Sequence, residues 1–264
     1  NRPVICMRIF VIGSGRMANA LAPALLRGGH TITGLYSRNA KSGSSLAGHL
    51  GCDFSSTLQI PKNTDLILLT VHDDATHIVA KSLKSAKAIV VHTSGTVDIS
   101  ALNRKKSSGV FYPLDTMNGK RNINFQNIPI CLEATDEKTL ASLLSVADSI
   151  SKEVYVMDSK MRMAVHAAAV FTNNFTNHLL GIASTITNQV GIPFNILKKL
   201  AQTTVKNAFT RSPADVQTGP AKRGDQKTIQ KHLEFLANHP EAIRLYTTLT
   251  KSIAAVHKNK PLKG

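Results

Sequence analysis

The sequence predicts an α/β fold in which a doubly wound, mostly parallel sheet is followed by an all-α helical domain. Short runs of Val, Ile and Leu alternate with helix-like segments through the first part of the chain. Such runs are typical of parallel strands covered by helices on both faces. After Asp158 the runs stop and only helical periodicity continues. We therefore expect two domains, residues 1–157 with the sheet and residues 158–264 with helices.

Each predicted element comes from its own segment. The apolar runs predicted as strands are, in chain order, MRIFVI, TITGLYS, DLILLTV, AIVVHTS, GVFYPL, NIPICLEA and EVYVM. The helices predicted between them cover residues 16–29, 40–50, 74–83 and 136–150. The helices predicted in the second part cover residues 159–189, 195–209, 221–236 and 240–257.

Length and composition limit the protein class. With 264 residues and 42% hydrophobic residues, the chain can fill one large core or two ordinary ones. Neither an 18-residue apolar window nor the pattern of a signal peptide occurs, so we expect a soluble, cytoplasmic protein without a membrane role. Cys6, Cys52 and Cys131 are far apart, which argues against a disulfide framework and against a metal site.

The formal net charge of +16 favours anionic ligands. From Asp158 onward there are 15 Lys and Arg against 5 Asp and Glu, so the second part carries most of the excess. The positive charges are dispersed, and such a surface binds nucleic acid weakly and without specificity. Because no zinc finger, RNP pattern or clustered basic helix accompanies the charge, we expect no specific nucleic-acid role.

A glycine-rich loop follows the first predicted strand. Residues 13–18, GSGRMA, fit the pattern GxGxxA between a strand and a helix, which is typical of a Rossmann-type, dinucleotide-binding fold. The first glycine permits a tight turn, the second lets the backbone approach a pyrophosphate, and the helix N-terminus favours negative charge. The residues predicted to contact the dinucleotide here are Gly13, Ser14, Gly15, Arg16 and Met17. The alternative is a purely structural glycine turn.

The end of the second predicted strand favours NADP over NAD. A carboxylate there would accept hydrogen bonds from the ribose hydroxyls of NAD and repel the 2′-phosphate of NADP. The sequence instead has Ser37 and Arg38, and the guanidinium of Arg38 suits a phosphate. Arg16 either adds to this attraction or faces solvent.

Three further strand ends are predicted to face the nicotinamide side, because ligands bind outside the carboxyl ends of parallel strands. Val71, His92 and Thr93 are predicted to contact the cofactor, Ser94 the substrate or the cofactor amide, and Asp115 the substrate. The alternative for the segment 93–95 is a turn that ends the strand, with Thr93 as a helix cap.

The first helix of the second part carries an unusual polar face. His166, Asn173 and Asn177 recur at helical spacing among Ala, Val, Phe and Leu, with Asn174 at the border of that face. Buried amides and imidazoles are costly unless they are hydrogen-bonded, so these side chains meet a ligand, a partner helix or one another. We predict His166 and Asn174 as catalytic residues; a satisfied core histidine is the alternative.

A further segment, TGPAKRGD at 218–225, combines a turn, a helix start and two cations. Gly219, Pro220 and Arg223 are predicted to hold an anionic group of the substrate. An ordinary capped helix start is the alternative.

The motifs GSGRMA, HTSG, YPLDT, HAAAVFTNNF and TGPAKRGD together resemble a bacterial family assigned as NAD(P)-dependent oxidoreductases. Its members have a Rossmann-like N-terminal domain and a helical C-terminal domain of unknown function. The chain is also similar, more distantly, to pyrroline-5-carboxylate reductases, deazaflavin-dependent NADP reductases and β-hydroxyacid dehydrogenases. The resemblance implies a helical domain that forms a homodimer and completes the active-site cleft. It supports roles for the following residues: Gly13, Gly15, His92, Ser94, His166, Asn174, Gly219, Pro220 and Arg223.

The chain departs from this family at three positions, one of which is His72, where the family more often has proline. Tyr112 stands where the family more often has histidine, and Asp115 where it has a neutral amide. The lysine that β-hydroxyacid dehydrogenases place on the first helix of their second domain has no counterpart, and His166 is the nearest candidate for an acid.

Two main functional hypotheses remain from the sequence, beside a minor third, nucleic-acid binding through the basic second part. The first is a reductase of a small carbonyl or imine, in which NADPH supplies the hydride, His166 the proton, Asn174 and Ser94 position the substrate and Arg223 attracts an anionic group. The second is a non-catalytic NADP-binding sensor or scaffold.

Overall fold

The computed structural model describes residues 6–83, 86–103, 106–117 and 122–258. Contacts divide the chain into two compact units, Asn1–Phe171 (unit 1) and Thr172–Gly264 (unit 2). Unit 1 contains the sheet, and unit 2 is built from helices. The predicted domain boundary at Asp158 stays a prediction.

The sheet of unit 1 has eight strands and is mostly parallel. The strands are β1 (Arg8–Ile12), β2 (Thr31–Tyr36), β3 (Phe54–Ser55), β4 (Leu66–Leu69), β5 (Ile89–His92), β6 (Ser108–Pro113), β7 (Ile130–Ala134) and β8 (Val154–Val156). Their order across the sheet is β3-β2-β1-β4-β5-β6-β7-β8. Only the pair β6–β7 is antiparallel among these neighbours. The predicted doubly wound, mostly parallel sheet is confirmed.

Helices cover both faces of this sheet. The helices of unit 1 are α1 (Arg16–Arg27), α2 (Ala40–Leu50), α3 (Asp73–Ser82), a 3-10 helix (Ile99–Leu102), α4 (Glu137–Asp148) and α5 (Ser159–Ala169). Side chains alternate along each strand, so Ile9 and Val11 of β1 join one buried apolar cluster while Phe10 and Ile12 join a second. The two-sided burial explains why these strands are continuous apolar runs rather than alternating ones.

The described part of unit 2 consists of helices and their short connections, as the sequence predicted. After a π-helical turn (Val170–Phe175) its elements are α6 (Thr176–Gln189), a 3-10 helix (Phe194–Leu197), α7 (Lys198–Thr210), α8 (Pro213–Val216), α9 (Pro220–Arg223), α10 (Gln226–Phe235) and α11 (Pro240–Lys258).

Two helix predictions need correction. The helix predicted over 221–236 is broken, because Gly224 adopts φ +69° and ends α9, after which Asp225 accepts hydrogen bonds from the N–H and hydroxyl of Thr228 and begins α10. The helix predicted over 159–189 contains the π-helical turn, in which residues five apart, rather than four, are adjacent. The four-residue spacing used to predict one polar face therefore does not hold through Asn173 and Asn174.

Candidate active site at the carboxyl edge of the sheet

The glycine-rich loop follows β1, at the point where the strand order of the sheet reverses. The connection after β1 leads to β2 on one side, and the connection after the neighbouring β4 leads to β5 on the other. Gly13 has φ +114°, and a Cβ at this position would lie 2.7 Å from both the carbonyl oxygen and Oγ1 of Thr70. The N–H of Gly13 donates to the carbonyl of Tyr36 at the end of β2, at 2.8 Å. The loop is therefore held against the carboxyl ends of three neighbouring strands, and only glycine fits there.

Gly15 is different, because no contact within the described residues requires glycine at this position. Its φ of −75° suits any residue, and an added Cβ would meet only the carbonyl oxygen of Thr70, at 4.0 Å. Gly15 is the N-cap of α1, whose first turn has neither a side-chain cap nor an acidic residue. The N–H groups of Arg16 and Met17 thus begin a helix beside open space, which fits a pyrophosphate.

Three hydroxyls lie together beside this loop. Ser14 Oγ is 2.7 Å from Ser37 Oγ and 2.7 Å from Ser42 Oγ. Arg38, which follows Ser37, is exposed and has no carboxylate partner in the part of the chain that the structure describes. Ser37 and Arg38 were predicted, whereas Ser42 was missed. Its signal was its position in the first turn of α2, where its N–H binds the side chain of the N-cap residue Asn39.

The loop after β5 uses its polar side chains to hold itself in place. His92 Nδ1 accepts from the N–H of Ser94 at 3.2 Å, and Thr93 Oγ1 donates to the carbonyl of Leu69 at 3.3 Å. Ser94 Oγ accepts from the N–H groups of Thr96 and Val97, each at 3.1 Å. These bonds favour the strand-ending turn that the sequence left open, although Thr93 bonds to β4 rather than capping a helix.

His92 is neutral in this environment. Its side chain is 1% exposed, and burial together with the nearby Arg162 guanidinium lowers its pKa from 6.5 to about 4. Because Nδ1 accepts a hydrogen bond, the proton of the neutral ring is on Nε2, which has no partner among the described residues. The buried, neutral His92 therefore stabilises the loop after β5 through its bond to the N–H of Ser94.

His166 and Tyr112 meet at Gly95. A Cβ on Gly95 would lie 2.5 Å from His166 Cδ2, 2.8 Å from Tyr112 Cζ and 3.0 Å from Tyr112 Oη. The two rings are tilted by 48°, with centroids 6.2 Å apart. Among the described residues neither the imidazole nor the phenol has a hydrogen-bond partner. Two polar groups of unit 1 are thus free to bind a ligand at the carboxyl edge.

Tyr112 and Gly95 were not predicted as site residues. Burial raises the pKa of Tyr112 to about 12, so the hydroxyl keeps its proton at neutral pH and can donate a hydrogen bond. The available signal was the departure from the family motif, with tyrosine in place of histidine at the end of β6.

Two other predicted contacts lie on neighbouring loops. Val71 follows Thr70 at the end of β4 and packs against the second apolar cluster. Asp115 is exposed after β6, and its Oδ1 accepts from the N–H of Thr116 at 2.6 Å. Residues 118–121 lie outside the described part of the chain.

The predicted site residues of unit 2 lie on two segments. Asn174 is exposed in the π-helical turn. Gly219, with φ +103°, and Pro220 begin α9, and Arg223 ends it with Nη2 4.0 Å from Asp225 Oδ2. Arg223 also lines a cavity of about 520 Å³ between α9, α10 and α11, together with the cationic Lys222 and Lys251 and the apolar Ile229 and Leu233.

Two negative findings concern the described residues alone. Across ranges 6–83, 86–103, 106–117 and 122–258, no group of three or more His, Cys, Asp or Glu side chains is arranged to hold a metal ion. The same ranges contain no helix with the length and apolar character needed to cross a membrane.

Two family models match the chain. The model described as "NADP oxidoreductase coenzyme F420-dependent" matches residues 8–95, which include the glycine-rich loop and the HTSG segment. The model described as "Domain of unknown function (DUF2520)" matches residues 128–253. No curated protein matches the chain.

Solved structures match over nearly the whole length. A crystal structure from Bacteroides fragilis, named "putative NADP oxidoreductase", is 33% identical, with a TM-score of 0.85 over 96% of this chain and 100% of that chain. The 1-pyrroline-5-carboxylate reductase of Streptococcus pyogenes is 17% identical, with a TM-score of 0.66 over 95% and 99%. The imine reductase of Myxococcus stipitatus in complex with NADP+ is 16% identical, with a TM-score of 0.68 over 95% and 94%. The resemblance predicted from the motifs is confirmed.

The burial of neutral His92 predicts an acid-sensitive fold. Between pH 6.5 and about 4 the unfolded chain binds a proton at His92 that the folded chain does not. The free energy of unfolding therefore decreases as the pH is lowered through this window, whereas above pH 6.5 His92 does not change it. The contribution is on the order of 3 kcal/mol at the acid end. His92→Asn keeps an acceptor for Ser94 but removes the titration, so urea unfolding at several pH values should show a shallower fall.

The exposed His77 provides the control. His77→Asn should lose stability towards low pH as steeply as the wild type. Equal slopes for wild type and His92→Asn would show that His92 is not the group responsible.

Proposed function

The chain belongs to the NADP-dependent oxidoreductase family that joins a Rossmann-like N-terminal domain to a helical domain of unknown function, and from this premise we propose that it reduces a small carbonyl or imine. The observation that carries the proposal is the pairing of His166 and Tyr112 at Gly95, with their polar atoms free, on the same sheet edge as the open N-terminus of α1. We also propose the cytoplasm as its location, as expected from the sequence.

The proposed cofactor is NADP(H). Its pyrophosphate would lie at the N-terminus of α1 beside Gly13 and Gly15, where backbone N–H groups and space are both available. Arg38, exposed and without a carboxylate partner among the described residues, would pair with the 2′-phosphate beside the hydroxyls of Ser37 and Ser42. One structural neighbour holds NADP+ and a variant of it holds NAD+, so the preference rests on Arg38.

The chemistry divides between the cofactor and two side chains. When bound, the nicotinamide supplies a hydride to the substrate carbon. His166 donates the proton to the substrate oxygen or nitrogen, because an imidazole exchanges a proton readily near neutral pH. Tyr112, which stays protonated, donates a hydrogen bond that orients the same atom.

The remaining predicted contacts keep their proposed roles. Ser94 holds the loop that carries Gly95, and its Oγ lies 3.4 Å from Thr96 Oγ1, which itself donates to Asp73 Oδ2. We propose that the Ser94 hydroxyl exchanges this bond to Thr96 for one to the substrate or to the cofactor amide. For unit 2 taken by itself, we propose that Asn174, Gly219, Pro220 and Arg223 are its contacts to polar or anionic groups of a ligand. Asp115 disfavours anionic groups on its own side.

We expect His166→Ala to lower kcat about 10²- to 10⁴-fold, the usual contribution of a general acid. NADPH consumption should be followed with a panel of keto acids, aldehydes and cyclic imines. The affinity for NADPH, measured by fluorescence titration, should change less than about threefold. His49→Ala, at an exposed histidine in the last turn of α2, is the matched control and should keep wild-type turnover.

Tight NADPH binding by the wild type without turnover of any panel member would contradict the reductase and favour the sensor hypothesis. Wild-type turnover in His166→Ala would show that another group donates the proton.

Arg38→Ala tests the cofactor preference. Loss of a charge-assisted pair with the 2′-phosphate, about 1.5–3 kcal/mol, should weaken NADPH binding roughly 10- to 100-fold. NADH binding should stay within about twofold, because NADH lacks this phosphate. Calorimetry with both nucleotides measures the two affinities, and an equal loss for both would refute a specific 2′-phosphate contact. Arg27→Ala, at the opposite end of α1, is the control and should bind NADPH normally.

We further propose that two copies of the chain associate through unit 2. Helices α6 and α7 contain no buried residue. Ile196, Leu200 and Phe209 are 67%, 66% and 81% exposed. Apolar surface of this extent marks an interface, and a second copy is the occupant that the family resemblance implies.

Phe209→Glu should therefore weaken the dimer at least about 30-fold, as expected for a buried aromatic anchor at an interface. Sedimentation velocity across a concentration series gives the dissociation constant. Ile78→Glu, at an exposed isoleucine of unit 1, is the matched control and should leave the dimer unchanged. A monomeric wild type at the highest concentration would contradict the proposal.

A further inference from the structure

A charged side chain is buried beneath the His166–Gly95 contact. Arg162 of α5 is 1% exposed, and its guanidinium forms an ion pair with Glu133 of β7. The same guanidinium donates to the carbonyl of Val97, in the loop after β5, and to Ser159 Oγ at 3.1 Å. Arg162 therefore links three separate segments of unit 1.

Ser159 closes this network. Its hydroxyl donates to Glu133 Oε2 at 2.7 Å and accepts from the N–H of Ile99 at 3.1 Å. The first turn of α5 is thus bonded both to β7 and to the segment 97–99. That segment begins two residues after Gly95, and its N-terminal side is held by Ser94.

Stability alone does not account for the network. A buried ion pair can often be replaced by apolar side chains without loss of stability, because desolvation offsets the attraction between the charges. In addition, Arg162 Nε is buried without an acceptor among the described residues, which costs roughly 1–3 kcal/mol. A polar network that costs stability in this way is better explained by the fixed position that it gives α5 relative to β7 and to the loop after β5.

That geometry concerns His166. Arg162 and His166 are four residues apart on α5, so they lie on the same face of the helix. A rotation of α5 by one residue would turn this face through about 100° and shift it by about 1.5 Å along the axis. Displacements near 1 Å at a reacting group can reduce a rate about a hundredfold.

We propose that Arg162, together with Glu133 and Ser159, is a positioning residue that holds α5 against the loop after β5, so that the His166 ring lies between Gly95 and Tyr112. That this position of the ring serves proton transfer by His166 rests on the proposed reductase function. The positioning itself is a property of unit 1, with or without turnover.

Arg162→Met is the principal test, because it keeps most of the side-chain volume and removes the charge and the donors. In its crystal structure the His166–Tyr112 centroid distance, 6.2 Å in the wild type, should increase by more than about 1 Å. Its kcat should fall about a hundredfold with the KM for NADPH unchanged within about twofold. Arg162→Lys, which keeps the positive charge, should have a kcat about tenfold higher than that of Arg162→Met. Ser159→Ala should show the same changes on a smaller scale, and it provides the test if Arg162→Met fails to fold.

Two controls separate positioning from loss of stability. Val146→Ala removes volume from the buried core beneath α4 and should lower the melting temperature while keeping kcat. Arg8→Met removes another Arg–carboxylate pair, to Asp65, at the opposite end of the parallel strands and should keep kcat.

The results distinguish this proposal from the reductase function. A wild-type ring geometry in both Arg162→Met and Ser159→Ala, or a kcat for both within threefold of wild type, overturns the positioning role. If the wild type reduces no substrate, the reductase function fails, and the ring geometry in the variant crystals still decides the positioning role.

Discussion

The close approach of Gly13 to Thr70 determines where the rest of the candidate site lies. β1 and β4 are neighbours, but the connection after β1 leads to β2 and the connection after β4 leads to β5, so the two run towards opposite edges of the sheet and a crevice opens at their carboxyl ends. The turn after β1 must pass directly over Thr70 to start α1, and only a residue without a Cβ can do so at φ +114°. The open N-terminus of α1 and the hydroxyls of Ser14, Ser37 and Ser42 lie directly beside that crossing.

The sequence predicts this part of the protein well because its signals are local. Continuous apolar runs indicate buried strands, GSGRMA indicates the turn, and Asn39 and Asp136 are typical helix caps, each of which accepts from the third residue of its helix. The two apolar clusters follow from strand alternation once the strands are known. The short β3 and the antiparallel direction of β7 carry no such local signal, since each is decided by pairing with a distant strand.

The rest of the site could not be predicted because it depends on burial and on contacts between distant residues. Arg162 looks in the sequence like one more cation of a basic chain, and only the fold shows that Glu133, 29 residues away, makes its burial possible. Tyr112 and Gly95 matter because β5, β6 and α5 bring them together. The π-helical turn at Val170–Phe175 changes the residue spacing from which the polar face was predicted.

Most polar side chains at the carboxyl edge are already committed to holding backbone. Thr70, Thr93 and Ser94 bind main-chain groups of neighbouring strands or of their own loop, and His92 is kept neutral by burial and by the positive charge of Arg162. His92 therefore cannot serve as a proton source near neutral pH. The groups of unit 1 whose polar atoms remain available at Gly95 are the His166 imidazole and the Tyr112 hydroxyl. Since burial keeps the hydroxyl protonated, the tyrosine can orient a substrate atom while the histidine exchanges the proton. This division of roles supports the proposed reductase function.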